Sequence, residues 1–343
     1  MRKILYILFF AIFVSGVMTV IMLYTRIWRS NIELPSGESV LVYIPTGSGF
    51  QDVYGRLKGM AILRDTASFH WVAVRKNYPR HVQPGRYRIR PGMSNDRLVG
   101  MLRAGEQEPV ELVFHNIRSP EMLAGVVSGQ IEADSVSILS LFTDSALLAA
   151  NHLTRETVIG IFIPNTYEMY WNTTAQQFFD RMLREYRKFW TDRRTSQAKK
   201  MGLKPMEVMT LASIVDEEAL MPEEQARIAG VYINRLNRRM RLQADPTVRF
   251  AAGDMSMTRV LKKHLLIDSP YNTYRHGGLP PGPIVIPSIS AIDAVLNYER
   301  HNYLYFCAKE DFSGYHNFAS TLAQHNKNAR SYQNALNRRK IFN

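Results

Sequence analysis

The sequence predicts an α+β protein held to a membrane by one N-terminal helix, and three observations carry that prediction. Ile4 to Tyr24 is an uncharged, mostly apolar run; at 1.5 Å per residue it extends about 31 Å, one hydrocarbon thickness. From residue 39 to about 110, short strand and helix signals alternate. From 111 to 343 helical periodicity dominates, broken by a few strand-like runs. The chain has 343 residues, enough for two domains, and its 46% hydrophobic and 21% charged composition excludes wholesale disorder. The formal net charge of +13 is spread along the chain. It points to an anionic partner: nucleic acid, lipid headgroups or an acidic polymer outside the cell.

Residues 1–30 read as a short cytoplasmic tail and an uncleaved signal anchor. Arg2 and Lys3 precede the apolar run and Arg26 and Arg29 follow it, so charge alone does not orient it. The tail is too short to be a domain, which sets the chain beyond about residue 30 on the extracytoplasmic side. No small-x-small cleavage site follows, and no cysteine there could take a lipid. The single cysteine, Cys307, excludes a disulfide scaffold and a cysteine metal site, and reads as a buried core thiol.

Residues 31–38 read as a tether. SVLVYIP (39–45) is a strand, FQDVYGRLKGM and TASFHWVAVRKN are helices, PGRYRIRPGMS is a strand between Pro-Gly turns, and NDRLVGMLRAG is a helix ending at Gly105. PVELVFHN opens the larger part, 111–343, as a strand. Glu121 to Gly129 and Ser135 to His152 read as helices, and Ile161 to Met169 as a strand or turn punctuated by Pro164 and Asn165. Thr174 to Trp190 is a long helix with Phe178, Met182 and Phe189 on one stripe. TDRRTSQAKKMGLK (191–204) is basic and poor in apolar residues, and is expected as an exposed loop. It has no aromatic platforms, and with the anchor this argues against nucleic acid as a partner. Pro205 to Glu218 and Glu223 to Met240 are helical, and a short helix is expected within 253–270. A helix starts near Ser288 or Ser290. Asn302–Ala308 and Gly314–Phe318 form a hairpin, and a last helix begins at Ser320.

Pro205 to Glu218 (PMEVMTLASIVDEE) carries the chemistry. Glu218 lies three, four and seven positions beyond Val215, Ile214 and Leu211, so it continues their face. Asp216 and Glu217 point to the far side and the flank, where both can meet water. A carboxylate on the buried stripe must be hydrogen-bonded, paired or used as an acid. Periodicity leaves two readings open: a catalytic acid, or a structural or exposed carboxylate in the last helical turn. Downstream, Tyr271, Asn272, Thr273 and Tyr274, with Gly277, Gly278, Pro280, Pro281 and Pro283, suit a sugar-binding cleft or a stiff loop packed by its own tyrosines. Gln243 and Asp245 either reach that cleft or form a local turn.

Other chemistries fare poorly. The nine histidines are scattered, with no H-E-x-x-H. Nothing in the sequence brings His276, His316, His325 and Asp245 together as a metal site. No P-loop, dinucleotide fingerprint or G-x-S-x-G occurs, and Ser213 points away from Glu218. Neither a cofactor nor a metal is expected. Hydrolysis of a glycosidic bond needs a second carboxylate, with Glu168, Asp245 and Asp254 as candidates. One glutamate alone could instead protonate the leaving oxygen and then take a proton from the sugar's own hydroxyl, closing the sugar on itself.

The motifs resemble those of the membrane-anchored endolytic murein transglycosylases, the YceG-like family. LASIVDEE (211–218) is similar to the family's ASIVEKE, RLQADPTV (241–248) to RLQ-[ST]-DPTV, and YNTY (271–274) with GLPPGPI (278–284) and Pro287 to its central segment. YLYF (303–306), HNF (316–318) and HN (325–326) resemble its C-terminal pattern, and VQPGRYRI (82–89) its AGTYRF strand. The resemblance implies a LysM-like module at 39–110 and an α+β catalytic domain at 111–343 whose helices frame a cleft. It implies Glu218 as the catalytic residue. It further implies substrate contacts from Tyr167, Gln243, Asp245, Tyr271, Asn272, Thr273, Tyr274, Gly278, Pro280, Asn317 and His325. The implied reaction is cleavage between N-acetylmuramic acid and N-acetylglucosamine inside nascent peptidoglycan strands, leaving 1,6-anhydro ends. The implied setting is the cytoplasmic membrane, beside cell-wall synthases of the elongation machinery. The rivals are a non-catalytic peptidoglycan-binding scaffold and a two-carboxylate muramidase. Asp216, Glu217 and Asn165 depart from the family's glutamate, lysine and aspartate.

Overall fold

In the computed structural model, described for residues 2–34, 37–115, 117–257 and 259–339, the chain is α+β and divides into two units. One comprises Met1–Leu112, Gln130–Glu132 and Tyr167–Thr173; the other Val113–Gly129, Ala133–Thr166 and Thr174–Asn343.

The first unit begins with α1 (Arg2–Ile27), none of whose residues is buried, a helix long and apolar enough to cross a membrane. β1 (Val40–Ile44), α2 (Phe50–Gly59), α3 (Thr66–Arg75), β2 (Gly85–Ile89) and α4 (Asn95–Ala104) follow. β1 and β2 pair antiparallel, with Val42 opposite Tyr87 and Val40 opposite Ile89. Alternation turns Val42, Ile44, Tyr87 and Ile89 onto Leu57, Phe69, Val72, Leu98 and Leu102, which close the core. The Asp65 side chain caps α3 and Ser94 caps α4, and Gly105, at φ 70°, ends α4 in the left-handed region. Part of the expected tether is not free chain. Asn31 and Ile32 are buried, and the Asn31 amide donates to Asp65 O at 2.9 Å and Asn95 Oδ1 at 2.8 Å.

β3 (Val110–Phe114) pairs in a two-stranded sheet with β4 (Asn165–Met169). Between them lie α5 (Pro120–Ser128), α6 (Ser135–Thr143) and α7 (Ser145–Ala150). The single helix expected over 135–152 is therefore two. Asp144 is extended, and its carboxylate accepts from the N–H groups of Ala146 and Leu147, which starts a new helix. α8 (Ala175–Phe189) opens on a Thr174/Gln177 capping box. The basic stretch expected as a loop is α9 (Asp192–Lys200), capped by Thr191 and seated by the buried Ala198. Arg194 of α9 pairs with Asp293 at 3.0 Å. One buried alanine and one ion pair are too sparse a signal for periodicity to register.

α10 (Pro205–Glu218) is the centre of the second unit, with every residue from Val208 to Val215 buried. α11 (Gln225–Asn237), α12 (Asp245–Ala251) and α13 (Ile289–Leu296) pack around it, and Ser288, not Ser290, caps α13. Where a short helix was expected at 253–270, the described residues form one 3-10 turn, His264–Leu266. The chain ends with the antiparallel hairpin β5 (Tyr305–Ala308) and β6 (His316–Ala319), then α14 (Leu322–Arg338).

Candidate active site

The three acids that end α10 meet three different surroundings, and the expectation that two face water fails. Asp216 accepts from Ser288 N at 2.8 Å, Ser288 Oγ at 2.8 Å and Gln225 Nε2 at 3.1 Å, so it ties α10 to the cap of α13. Glu217 pairs with Arg118 at 3.3 Å. Glu218 opens onto a cavity. Ala219, extended at ψ 107°, turns the chain away and leaves that carboxyl at the wall.

Tyr232, buried on α11, donates its hydroxyl to Glu218 Oε1 at 3.0 Å. Asp245 begins α12, and its backbone N–H also turns to Glu218. Burial pushes the Glu218 carboxyl up to about 7, and the Asp245 charge acts in the same direction. Tyr232, Arg249 and the Asp245 N–H oppose them only in part. The Tyr232 phenol is itself driven well above 10 by burial and by Glu218, so it stays a donor. The Asp245 carboxylate accepts from the Tyr274 hydroxyl at 2.6 Å. The site thus holds two carboxyls in different surroundings: Glu218 is raised toward neutrality, and Asp245 is hydrogen-bonded by a phenol.

The cavity, about 430 Å³, is walled by Glu218, Tyr232, Arg235, Gln243, Asp245, Tyr274, Tyr305 to Ala308, His316 and His325, among others. Arg235 is its strut. Nε donates to Leu304 O at 2.6 Å and Nη1 to Leu242 O at 2.8 Å, and the guanidinium lies over Tyr305 at 5.2 Å. His325 stacks on Tyr305 at 5.3 Å, and burial, then Arg235, lower its pKa, so the ring is neutral near pH 7.

Of the residues named from sequence, Glu218, Gln243, Asp245, Tyr274 and His325 share this wall. Asn272 and Thr273 lie beneath it. The Asn272 amide donates to Leu265 O and Ile267 O, and Thr273 Oγ1 accepts from Ala244 N at 3.0 Å, so both shape the turn that presents Tyr274. Tyr271 packs on Phe250, with ring centroids 4.5 Å apart. Gly278 takes a left-handed turn at φ 81°, and Pro280 lines a second cavity with Leu279, Pro281 and Met206. Asn317 donates to Glu310 at 2.8 Å, and Tyr167 is buried in β4 of the first unit. Tyr232 and Arg235 were not foreseen as site residues, and His316, weighed from sequence only as a metal ligand, shares the wall with His325 and Asp245. His316 is held by the buried Glu224, its Nδ1 2.8 Å from Oε2. Cys307, expected in the core, is half-buried in the cavity wall. Ser213 is structural, donating to Thr210 O and accepting from Ile284 N. Among the described residues no group of three or more His, Cys, Asp or Glu side chains is arranged to hold a metal ion.

The YceG-like family pattern matches residues 42–331. The chain belongs to the YceG-like family. The matched span contains every residue of the cavity wall named above. Among YceG-like relatives, the endolytic murein transglycosylase of Bacillus subtilis is 29% identical over 332 residues, 92% of this chain and 91% of its own length. The endolytic murein transglycosylase of Streptococcus pneumoniae serotype 2 is also 29% identical, over 89% of this chain. There the match spans only 60% of the pneumococcal protein. The crystal structure of a yceG-like protein from Listeria monocytogenes superposes with a TM-score of 0.56 at 29% identity, over 85% of this chain and 99% of that one.

Proposed function

We propose that this YceG-like protein is an endolytic lytic transglycosylase that cuts nascent peptidoglycan between N-acetylmuramic acid and N-acetylglucosamine. One observation carries the mechanism: a glutamate whose pKa is raised to about 7, on the wall of a cavity wide enough for sugar rings. At neutral pH a large fraction of Glu218 holds its proton. It gives that proton to the glycosidic oxygen as the bond to muramic C1 breaks, and the N-acetylglucosamine chain leaves as an alcohol. The resulting carboxylate, steadied by the Tyr232 hydroxyl and the Asp245 N–H, takes the proton of the muramic 6-hydroxyl. O6 closes on C1, giving the 1,6-anhydro ring and restoring the acid. No water is consumed, so atoms and charge balance within the strand.

Asp245 supports a second reading, since a second carboxylate on the same wall could activate water. Its oxygen is already engaged by Tyr274 at 2.6 Å, which suits charge stabilisation beside C1 better than proton abstraction. Mass spectrometry of the products decides between them. Anhydro ends are lighter than hydrated ends by about 18 Da; hydrated ends would make the protein a muramidase. Glu218→Gln should abolish cleavage while strands still bind. Turnover near wild type would remove Glu218 from the mechanism, and no cleavage by the wild type would leave a binding scaffold.

The proposal extends to the setting. α1 serves as a single-pass anchor in the cytoplasmic membrane, with the chain beyond residue 30 outside and close to emerging strands. The unit at 39–110 serves as a LysM-like binding or spacer module, and elongation synthases are the natural neighbours.

A further inference from the structure

Arg26 and Arg29 follow the apolar run and blur the charge asymmetry expected of a membrane helix. The first unit gives them a use. α1 does not lead into slack chain. Asn95 Nδ2 donates to Arg26 O at 2.9 Å, Trp28 N to Tyr24 O at 2.9 Å, and Asn31 N and Ile32 N both reach Met93 O. Ser30 bridges Ser94 and Ile32 bridges Leu63. Buried Asn31 and Asn95 bond each other, and Asn95 also bonds Ser68 of α3. The last turn of α1 is therefore fixed to α3 and α4, and its depth in a bilayer sets theirs.

Arg26 lies two residues past the apolar run, about 3 Å along the helix axis. Its guanidinium carbon is 5.7 Å from the centre of the Trp71 ring, and Arg75 lies 4.9 Å from the same ring on α3. A headgroup layer is roughly 5–8 Å thick on each side of the hydrocarbon. With α1 across a bilayer, Arg26 falls within that layer, and Trp71 and Arg75 follow within two side-chain contacts of it. The remaining groups suit it: Trp28 is 56% exposed beside Tyr24, Val74 is 52% exposed, and Arg29 and Arg75 are exposed. Tryptophans beside arginines are the side chains that bilayer interfaces favour.

We propose that the first unit is seated on the bilayer itself. Trp28, Trp71 and Val74 enter the interface, and Arg26, Arg29 and Arg75 bind the phosphates of anionic phospholipid headgroups. The occupant is lipid because the patch is continuous with a membrane helix and matches the headgroups in charge. The inference rests on α1 spanning the membrane, so the test separates the two.

The full chain is placed in nanodiscs of phosphatidylcholine alone or mixed equally with phosphatidylglycerol, with a fraction of lipids carrying a headgroup quencher. Co-elution with the discs tests the membrane helix; elution apart from them would overturn both readings. In co-eluting protein, the Trp71 emission, obtained by difference from Trp71→Phe, should be quenched. Hydrogen exchange across residues 66–80 should slow about fivefold when phosphatidylglycerol is present. The double variant Arg29→Glu, Arg75→Glu changes exposed positions; it should keep the wild-type circular dichroism spectrum and lose that slowing while still co-eluting. Unquenched Trp71 in co-eluting discs would overturn the seating. Exchange that ignores phosphatidylglycerol, or is unchanged by the double variant, would overturn headgroup binding.

Discussion

A single carboxyl that must first give a proton and then take one works best when its pKa lies near the working pH, and Glu218 at about 7 meets that condition. In the proposed mechanism the acid form starts the reaction, so kcat/KM should fall about tenfold per pH unit above about 7. A profile flat to pH 9 or so would reject Glu218 as the donor. Tyr232 pulls the pKa down by donating to the carboxylate. Tyr232→Phe should therefore move the alkaline limb upward, even as the rate drops for want of a donor to the ionised state. A limb that moves down would contradict the bond. Stability follows with the opposite benefit. The folded carboxyl binds its proton more tightly than an unfolded glutamate, so the native state loses stability as pH rises from 4.5 to about 7. Glu218→Gln, which cannot ionise, should be the more stable protein at about pH 8, by on the order of 1–3 kcal/mol, with the gap closing below pH 4.5. Equal denaturation midpoints at both pH values would mean that burial does not strain Glu218. The helical face of Glu218 was legible because Leu211, Ile214 and Val215 mark it. Tyr232 was not, because its bond depends on how two helices cross, and no spacing within one helix records that.

At the scale of elements, α10 is positioned by polar staples as much as by its core. Asp216 satisfies Ser288 N, a donor at the start of α13, together with the hydroxyl that caps it. Asp216→Ala strands those donors and should destabilise by about 1–3 kcal/mol. Asp216→Asn retains an acceptor and should lose less; equal losses would mean the staple is not the cause. Gly230 tests the packing of α11. A Cβ there would overlap the Glu299 carbonyl and the His301 ring, so Gly230→Ala should destabilise by roughly 1–3 kcal/mol in denaturant titration, despite alanine's better helix propensity. A stabilised variant would mean that the 299–301 turn gives way freely. The same local chemistry explains which elements the sequence disclosed. β1, α2, β2 and α4 carry clean periods closed by turn residues such as Gly105. α9 has one buried residue, Ala198, and depends on Asp293, 99 positions from Arg194. Asp144 looked like one more polar residue on a helix until its carboxylate was seen to accept two N–H groups.

At the scale of the molecule, the proposed role of α1 is to hold the chain at a membrane. Its residues are unburied, so deleting 2–24 takes only the Tyr24 ring and carbonyl away from Trp28 and spares Arg26, whose carbonyl Asn95 fixes. On soluble glycan strands the truncated chain should keep its turnover within about twofold. On lipid-linked strands made in proteoliposomes the outcome should differ. Sharing a membrane with the strand's lipid end replaces a bulk encounter by a local one, with effective concentrations up to the millimolar range. Truncation should then lower cleavage by about tenfold or more at submicromolar protein, and the deficit should vanish as protein concentration rises. With peptidoglycan as the proposed substrate, the net charge of +13 favours that anionic polymer in either format, so salt should weaken both reactions and leave their ratio nearly unchanged. A truncated chain equally slow on both substrates would mean that α1 supports the fold of the site. One equally fast on both would mean that the cavity finds strands without being held beside them.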